Sequence, residues 1–164
     1  MNMTMTHYME LLATNQPWNL ILFMAIPVIL AETIAITELA ILFTRNLNGS
    51  LRAVNKITSI LVGLYFTGVF IYLFINAVIP ITTAEEWRGL TDILAVGLYL
   101  SGIVPLLGMA LLDMNLIWKN KSAEQKLKIH ATFVGIFLVV SHIAMILGML
   151  EPTFGAGANH MMNM

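Results

Sequence analysis

Residues 18–44 read WNLILFMAIPVILAETIAITELAILFT. A helix needs about 20 apolar residues to cross the hydrocarbon core of a bilayer. This run is long enough, and it does not alternate apolar with polar residues as a barrel strand would. Backbone groups inside lipid must satisfy one another, so an unbroken apolar run of this length is a helix. Three further stretches qualify on the same ground: residues 57–81, 92–118 and 129–150.

Composition agrees. Hydrophobic residues make up 59% of the 164-residue chain and charged residues 10%, whereas a soluble domain carries about a quarter charged residues. A formal net charge of −1 offers no basic field for phosphate, so nucleic acid is excluded as a partner. With no cysteine, thiolate metal sites and disulfides are excluded too. The expected fold is an all-α membrane protein: one four-helix domain over residues 1–164, up-down-up-down, with tails at 1–17 and 151–164.

Charge sets the expected orientation. Arg45, Arg52 and Lys56 lie between the first two spans; Lys119, Lys121, Lys126 and Lys128 lie between the last two. Positive loops stay cytoplasmic. Both termini and the loop with Glu85, Glu86 and Arg88 then face outward, which in a bacterial inner membrane means the periplasm. The segment before Trp18 has no Lys or Arg, which argues against a cleaved signal peptide. Trp18, Trp87 and Trp118 fall at the expected interfaces.

Ionisable residues inside spans are functional candidates by default. Glu32, Glu38, Asp113, His130 and His142 qualify. Helical spacing groups Glu38, Asp113 and His130 near the basic loops. A second group holds Glu32, His142, Met145 and Met149, with Met24 as a further candidate, nearer the middle and outer half, and both glutamates are expected to point into the bundle. Ala31/Ala35 and Ala144/Gly148 are small-xxx-small pairs suited to close helix contact. Pro27 and Pro105 should free the carbonyls of Phe23 and Ser101 one turn back.

The tails carry a separate signal. Met3, Met5, Met9 and His7 precede the first span, and His160, Met161, Met162 and Met164 close the chain. Thioether and imidazole together suit copper, Cu(I) above all. The expectation is one copper site built from both ends, with His142, Met145 and Met149 as an inner site. Haem b or quinone near His142 and Glu32 is the alternative cofactor reading.

Residues 7–46, HYMELLATNQPWNLILFMAIPVILAETIAITELAILFTRN, resemble a group of small four-helix bacterial membrane proteins loosely labelled permeases. The resemblance implies a multi-pass inner-membrane protein and supplies no catalytic residue. No phosphate loop, dinucleotide glycine pattern or hydrolase motif is present. The functional expectation is therefore a permease-like or metal-handling protein, with no catalytic residue assigned. The alternatives are an accessory subunit of a larger membrane complex and an electron-transfer subunit. So small a chain is expected to work in the lipid bilayer as a homo-oligomer or within such a complex.

Overall fold

Residues 5–47 and 49–152 are described by a computed structural model, and every regular element among them is helical. A short helix, α1 (His7–Ala13), precedes four long ones: α2 (Trp18–Thr44), α3 (Ser50–Thr83), α4 (Leu90–Asp113) and α5 (Ala123–Met149). Each long helix has the length and hydropathy to cross a membrane. They pack as a ring, α2 on α3, α3 on α4, α4 on α5 and α5 back on α2. Antiparallel pairing is visible in the contacts that follow: Arg52 near the start of α3 meets Asp113 at the end of α4.

The outside of the ring is as apolar as the inside. Ile36, Phe43, Ile57, Val104 and Val139 are all more than 60% exposed. A helix apolar all round belongs in a core or in lipid. This is the surface of an integral membrane protein.

Three helix boundaries lie five or more residues from the hydropathy reading. Helix α3 begins at Ser50 and α5 at Ala123, so Arg52, Lys56, Lys126 and Lys128 sit on helices rather than in loops. Polar residues end a hydropathy window but not a helix, because the first turns of a span lie in the polar interface. Ser122 starts α5 with a reciprocal capping box to Gln125. At the other end of the third span, α4 stops at Asp113, short of Trp118.

The inner face is built by close approach. At Gly63 an added Cβ would lie 2.4 Å from the Ala110 Cβ and 2.8 Å from the Leu106 carbonyl oxygen. Only glycine lets α3 and α4 cross here. Val62, Phe66, Leu106 and Met109 fill the layer around that crossing.

Pro27 does free a carbonyl. The chain widens to a π turn over Ile21–Ala25, and the Tyr99 hydroxyl donates to the Phe23 oxygen. The Tyr65 hydroxyl donates to the neighbouring Leu22 oxygen at 2.9 Å. Helix α4 breaks at Gly102, three residues before Pro105, where the Phe137 ring packs too close for a side chain.

The lead-in to α2 is not a loose tail. Thr6 caps α1 by accepting from the Met9 N–H, and its hydroxyl donates to the Gly148 oxygen at 2.7 Å. Tyr8 and Leu12, one turn apart, are buried, and an added Cβ at Gly148 would meet the Tyr8 ring at 2.8 Å. The pair Ala144/Gly148 is buried, with Gly148 receiving α1. Burial pushes the Tyr8 hydroxyl pKa up to about 12. Helix α1 thus caps one end of the bundle. The opposite end, carrying Arg45 and the residues between α4 and α5, is called the basic end below.

Candidate functional site

At the basic end one polar cluster draws a side chain from each long helix. Helix α2 supplies Glu38 and Thr37, α3 supplies Arg52, Asn55 and Ser59, α4 supplies Asp113 and α5 supplies His130. His130, Asn55 and Ser59 are fully buried, and Glu38 and Asp113 nearly so. Helical periodicity explains the placement. On α5 the buried positions Leu127, His130, Val134 and Phe137 recur every three or four residues, so His130 lies on the core stripe.

His130 is the centre. Its Nδ1 lies 2.6 Å from Glu38 Oε2, and its Nε2 lies 3.1 Å from Asp113 Oδ2. The first contact is a hydrogen bond. The second is an ion-pair contact too poorly aligned to count as a hydrogen bond, which leaves Nε2 and Oδ2 each without one. Arg52 donates to Asp113 Oδ1 at 2.7 Å and to Asn55 Oδ1 at 2.9 Å. The Asn55 amide in turn donates to Glu38 Oε2 at 3.1 Å, to Thr37 Oγ1 at 2.9 Å and to the Ile34 oxygen at 3.2 Å.

Charge and proton counts constrain this site. Arg52 contributes one positive charge and the two carboxylates two negative ones. A neutral imidazole has one N–H and can offer it to only one carboxylate. An imidazolium offers one to each and brings the total charge to zero. Buried charges are tolerated only when paired in this way.

The expectation for Glu38, Asp113 and His130 therefore holds in space: the three residues meet. Arg52, Asn55 and Ser59 were not expected there, because the hydropathy window places Arg52 and Asn55 in a loop. Their signal is their spacing, 52, 55 and 59, which is one helical face.

The second expected group comes together only in part: His142, Met145 and Met24 border one cleft, while Glu32 and Met149 stay outside it. Glu32 and His142 are both exposed, and so is Met149. Glu32 makes no hydrogen bond or ion pair among the described residues, and the His142 imidazole contacts its own helix at the Leu138 oxygen, 2.6 Å away. Glu32 follows buried Ala31 directly and is turned about 100° from it, so it cannot share that stripe. His142 is turned about 120° from His130 on the same reasoning. His142 and Met145 do line a small cleft between α2 and α5, with Phe137 and Ser141 beside them and Met24 and Val28 opposite.

His7 does not sit in a free tail. Its backbone N–H donates to Asp92 Oδ1 at 2.6 Å, and its Nδ1 lies 2.6 Å from Asp92 Oδ2. Asp92 is fully buried at the start of α4 and also accepts from the Arg88 N–H at 3.3 Å. The Arg88 guanidinium holds Glu10 and the Met5 carbonyl. Met5 is exposed, while Met9 packs against the core near Gly148. Met3, His160, Met161, Met162 and Met164 lie outside the described residues. Among the described residues no group of three or more His, Asp or Glu side chains is arranged to hold a metal ion.

The chain belongs to the DUF6803 family, a family of unknown function whose model matches residues 3–164. No curated protein and no solved structure matches the chain.

Proposed function

We propose that the protein is a permease-like membrane protein whose basic-end cluster binds and releases one proton, and that the bound proton holds this end of the bundle closed. The observation that carries the reading is His130 seated between a carboxylate of α2 and a carboxylate of α4. With the proton, the cluster is neutral and ties four helices together. Without it, one negative charge is left uncompensated where little water reaches, and the contact between α5 and one of its partners is lost. Ionisable groups inside spans commonly mark ion and proton paths. The basic loops favour a cytoplasmic position for this end and an external position for α1.

The chain has no cysteine, which makes the test direct. Ser59→Cys places a thiol at a buried position of the cluster itself, and Ser50→Cys places an exposed control at the same end. Proton release should expose the Ser59 thiol to a soluble maleimide, with a rate that rises at least tenfold relative to the control. A ratio that stays constant as pH is raised would refute the proposal.

A second copy of the chain on the α2–α5 face is supported by Glu32. An acid facing lipid near mid-span costs about 3 kcal/mol, which a partner can relieve. Ile36→Cys, one turn further along that exposed face, should then form a disulfide-linked dimer in membranes, and a monomer under oxidation would count against it.

A further inference from the structure

Beneath α1 lies a cavity of about 510 Å³ between α1, α3 and α4. Beside it, along the seam between α2 and α3, runs a groove of about 580 Å³. The two share Asn19 and Tyr72 as walls, so they adjoin there, and we call that place the neck. Their chemistry differs. Charged and polar groups line the cavity, among them His7, Glu10, Asn76, Glu86 and Arg88. The groove is walled by Leu22, Phe23, Leu64, Gly68 and Val69, residues of the spans themselves. At the neck the Phe23 and Tyr72 rings stack with centroids 5.8 Å apart.

We infer that this pair of spaces is a binding site for a single-chain amphiphile with a cationic, N–H-donating head, drawn from the bilayer. The head lies in the cavity and the hydrocarbon chain in the α2–α3 groove. Three observations favour a cation over an anion. First, Glu10 is paired with Arg88 and Asp92 with His7, which leaves Glu86 as the lining acid with no ion pair among the described residues. Second, the Arg88 charge is already paired with Glu10 while its guanidinium also donates to the Met5 carbonyl, so among the described residues the cavity lining offers a phosphate or carboxylate no unpaired cation. Third, the two amides offer acceptors. The Asn19 and Asn76 amide nitrogens donate to the Leu11 oxygen at 3.0 Å and to the Tyr72 oxygen at 2.8 Å, which leaves both amide oxygens for a donor. An ammonium head satisfies those oxygens and the Glu86 carboxylate, and the aromatic ring of Tyr72 adds a cation–π face. The chain's route is set by Gly68, where an added Cβ would meet nothing within 4 Å. That gap keeps the groove open to lipid. The site lies at the opposite end of the bundle from the proton cluster and does not depend on it.

Calorimetry on the full chain in a maltoside detergent tests this with dodecylammonium, laurate of equal chain length, and butylammonium as the head alone. Dodecylammonium should bind saturably, one per chain, and laurate at least tenfold more weakly. Glu86→Gln, in the exposed loop, should weaken dodecylammonium about fivefold. Gly68→Phe should weaken it at least tenfold and leave butylammonium unchanged, while the open space at Gly68 keeps the variant's thermal midpoint at the wild-type value. Equal affinity for laurate would overturn the cationic head. Full dodecylammonium affinity in Gly68→Phe would overturn the groove. Loss of butylammonium binding in Gly68→Phe would do the same, since the substitution would then act on the head site. His130→Asn should leave all affinities within twofold, so a failure here is separable from a failure of the proton reading.

Discussion

Replacing His130 by leucine removes the one group that both Glu38 and Asp113 contact across the bundle. Asp113 keeps Arg52 at 2.7 Å. Glu38 keeps only the Asn55 amide, a neutral donor, and remains buried. Breaking a buried ion pair by removing one partner costs about 3–5 kcal/mol, because the remaining charge has no compensation. For a domain of this size each kcal/mol moves the thermal midpoint by about 2–4 °C. His130→Leu should thus lower the midpoint in maltoside by about 6–20 °C. The double variant Glu38→Leu/His130→Leu removes both charges and leaves Arg52 and Asp113 balanced. The Asn55 amide also stays satisfied, since it still has Thr37 and the Ile34 oxygen. Apolar replacement of a whole buried pair is often neutral, so the double variant should recover most of the loss. A double variant less stable than His130→Leu would refute the reasoning, as would a His130→Leu protein that melts with the wild type.

Four further outcomes are expected. Gly63→Ala forces α3 away from Ala110 and should cost about 1–3 kcal/mol by overpacking, whereas Gly68→Ala should be neutral; thermal melts compare the two. Tyr99→Phe leaves the Phe23 carbonyl released by Pro27 without its donor and should cost about 1–3 kcal/mol in the same assay. Tyr8 keeps its proton to about pH 12 when α1 is docked but to about pH 10 when it is not. Docking is therefore unaffected below pH 10 and loses up to about 2–3 kcal/mol as pH rises toward 12, a loss that Tyr8→Phe should abolish. Reporter fusions after Arg45 and Lys121 should report the cytoplasm and a fusion at Glu85 the outside.

Much of the fold is legible because lipid imposes a simple rule: long apolar runs become spans. The cluster was legible in part for a related reason. Glu38, Asp113 and His130 are polar residues inside apolar runs, so each stands out, and the alternating helix directions bring them to one end. Arg52 and Asn55 were hidden because a hydropathy window cannot distinguish an interfacial first turn from a loop. Glu32 and His142 misled for the opposite reason. They also stand out against apolar neighbours, but the angle about the helix axis, not polarity, decides which way a side chain faces. Helix α1 was masked by its methionines and His7, which drew attention to metal chemistry. The signal for it is the Thr6 cap followed by Tyr8 and Leu12 one turn apart.

The proton on His130 can be observed by side-chain ¹⁵N NMR on histidine-labelled protein in lipid nanodiscs, with His130→Asn assigning the signal among the four histidines. In the closed cluster both ring nitrogens should carry protons, and Glu38→Gln should leave only one protonated. A wild-type His130 with a single protonated nitrogen, unchanged by Glu38→Gln and by titration, would contradict a proton held between the two carboxylates.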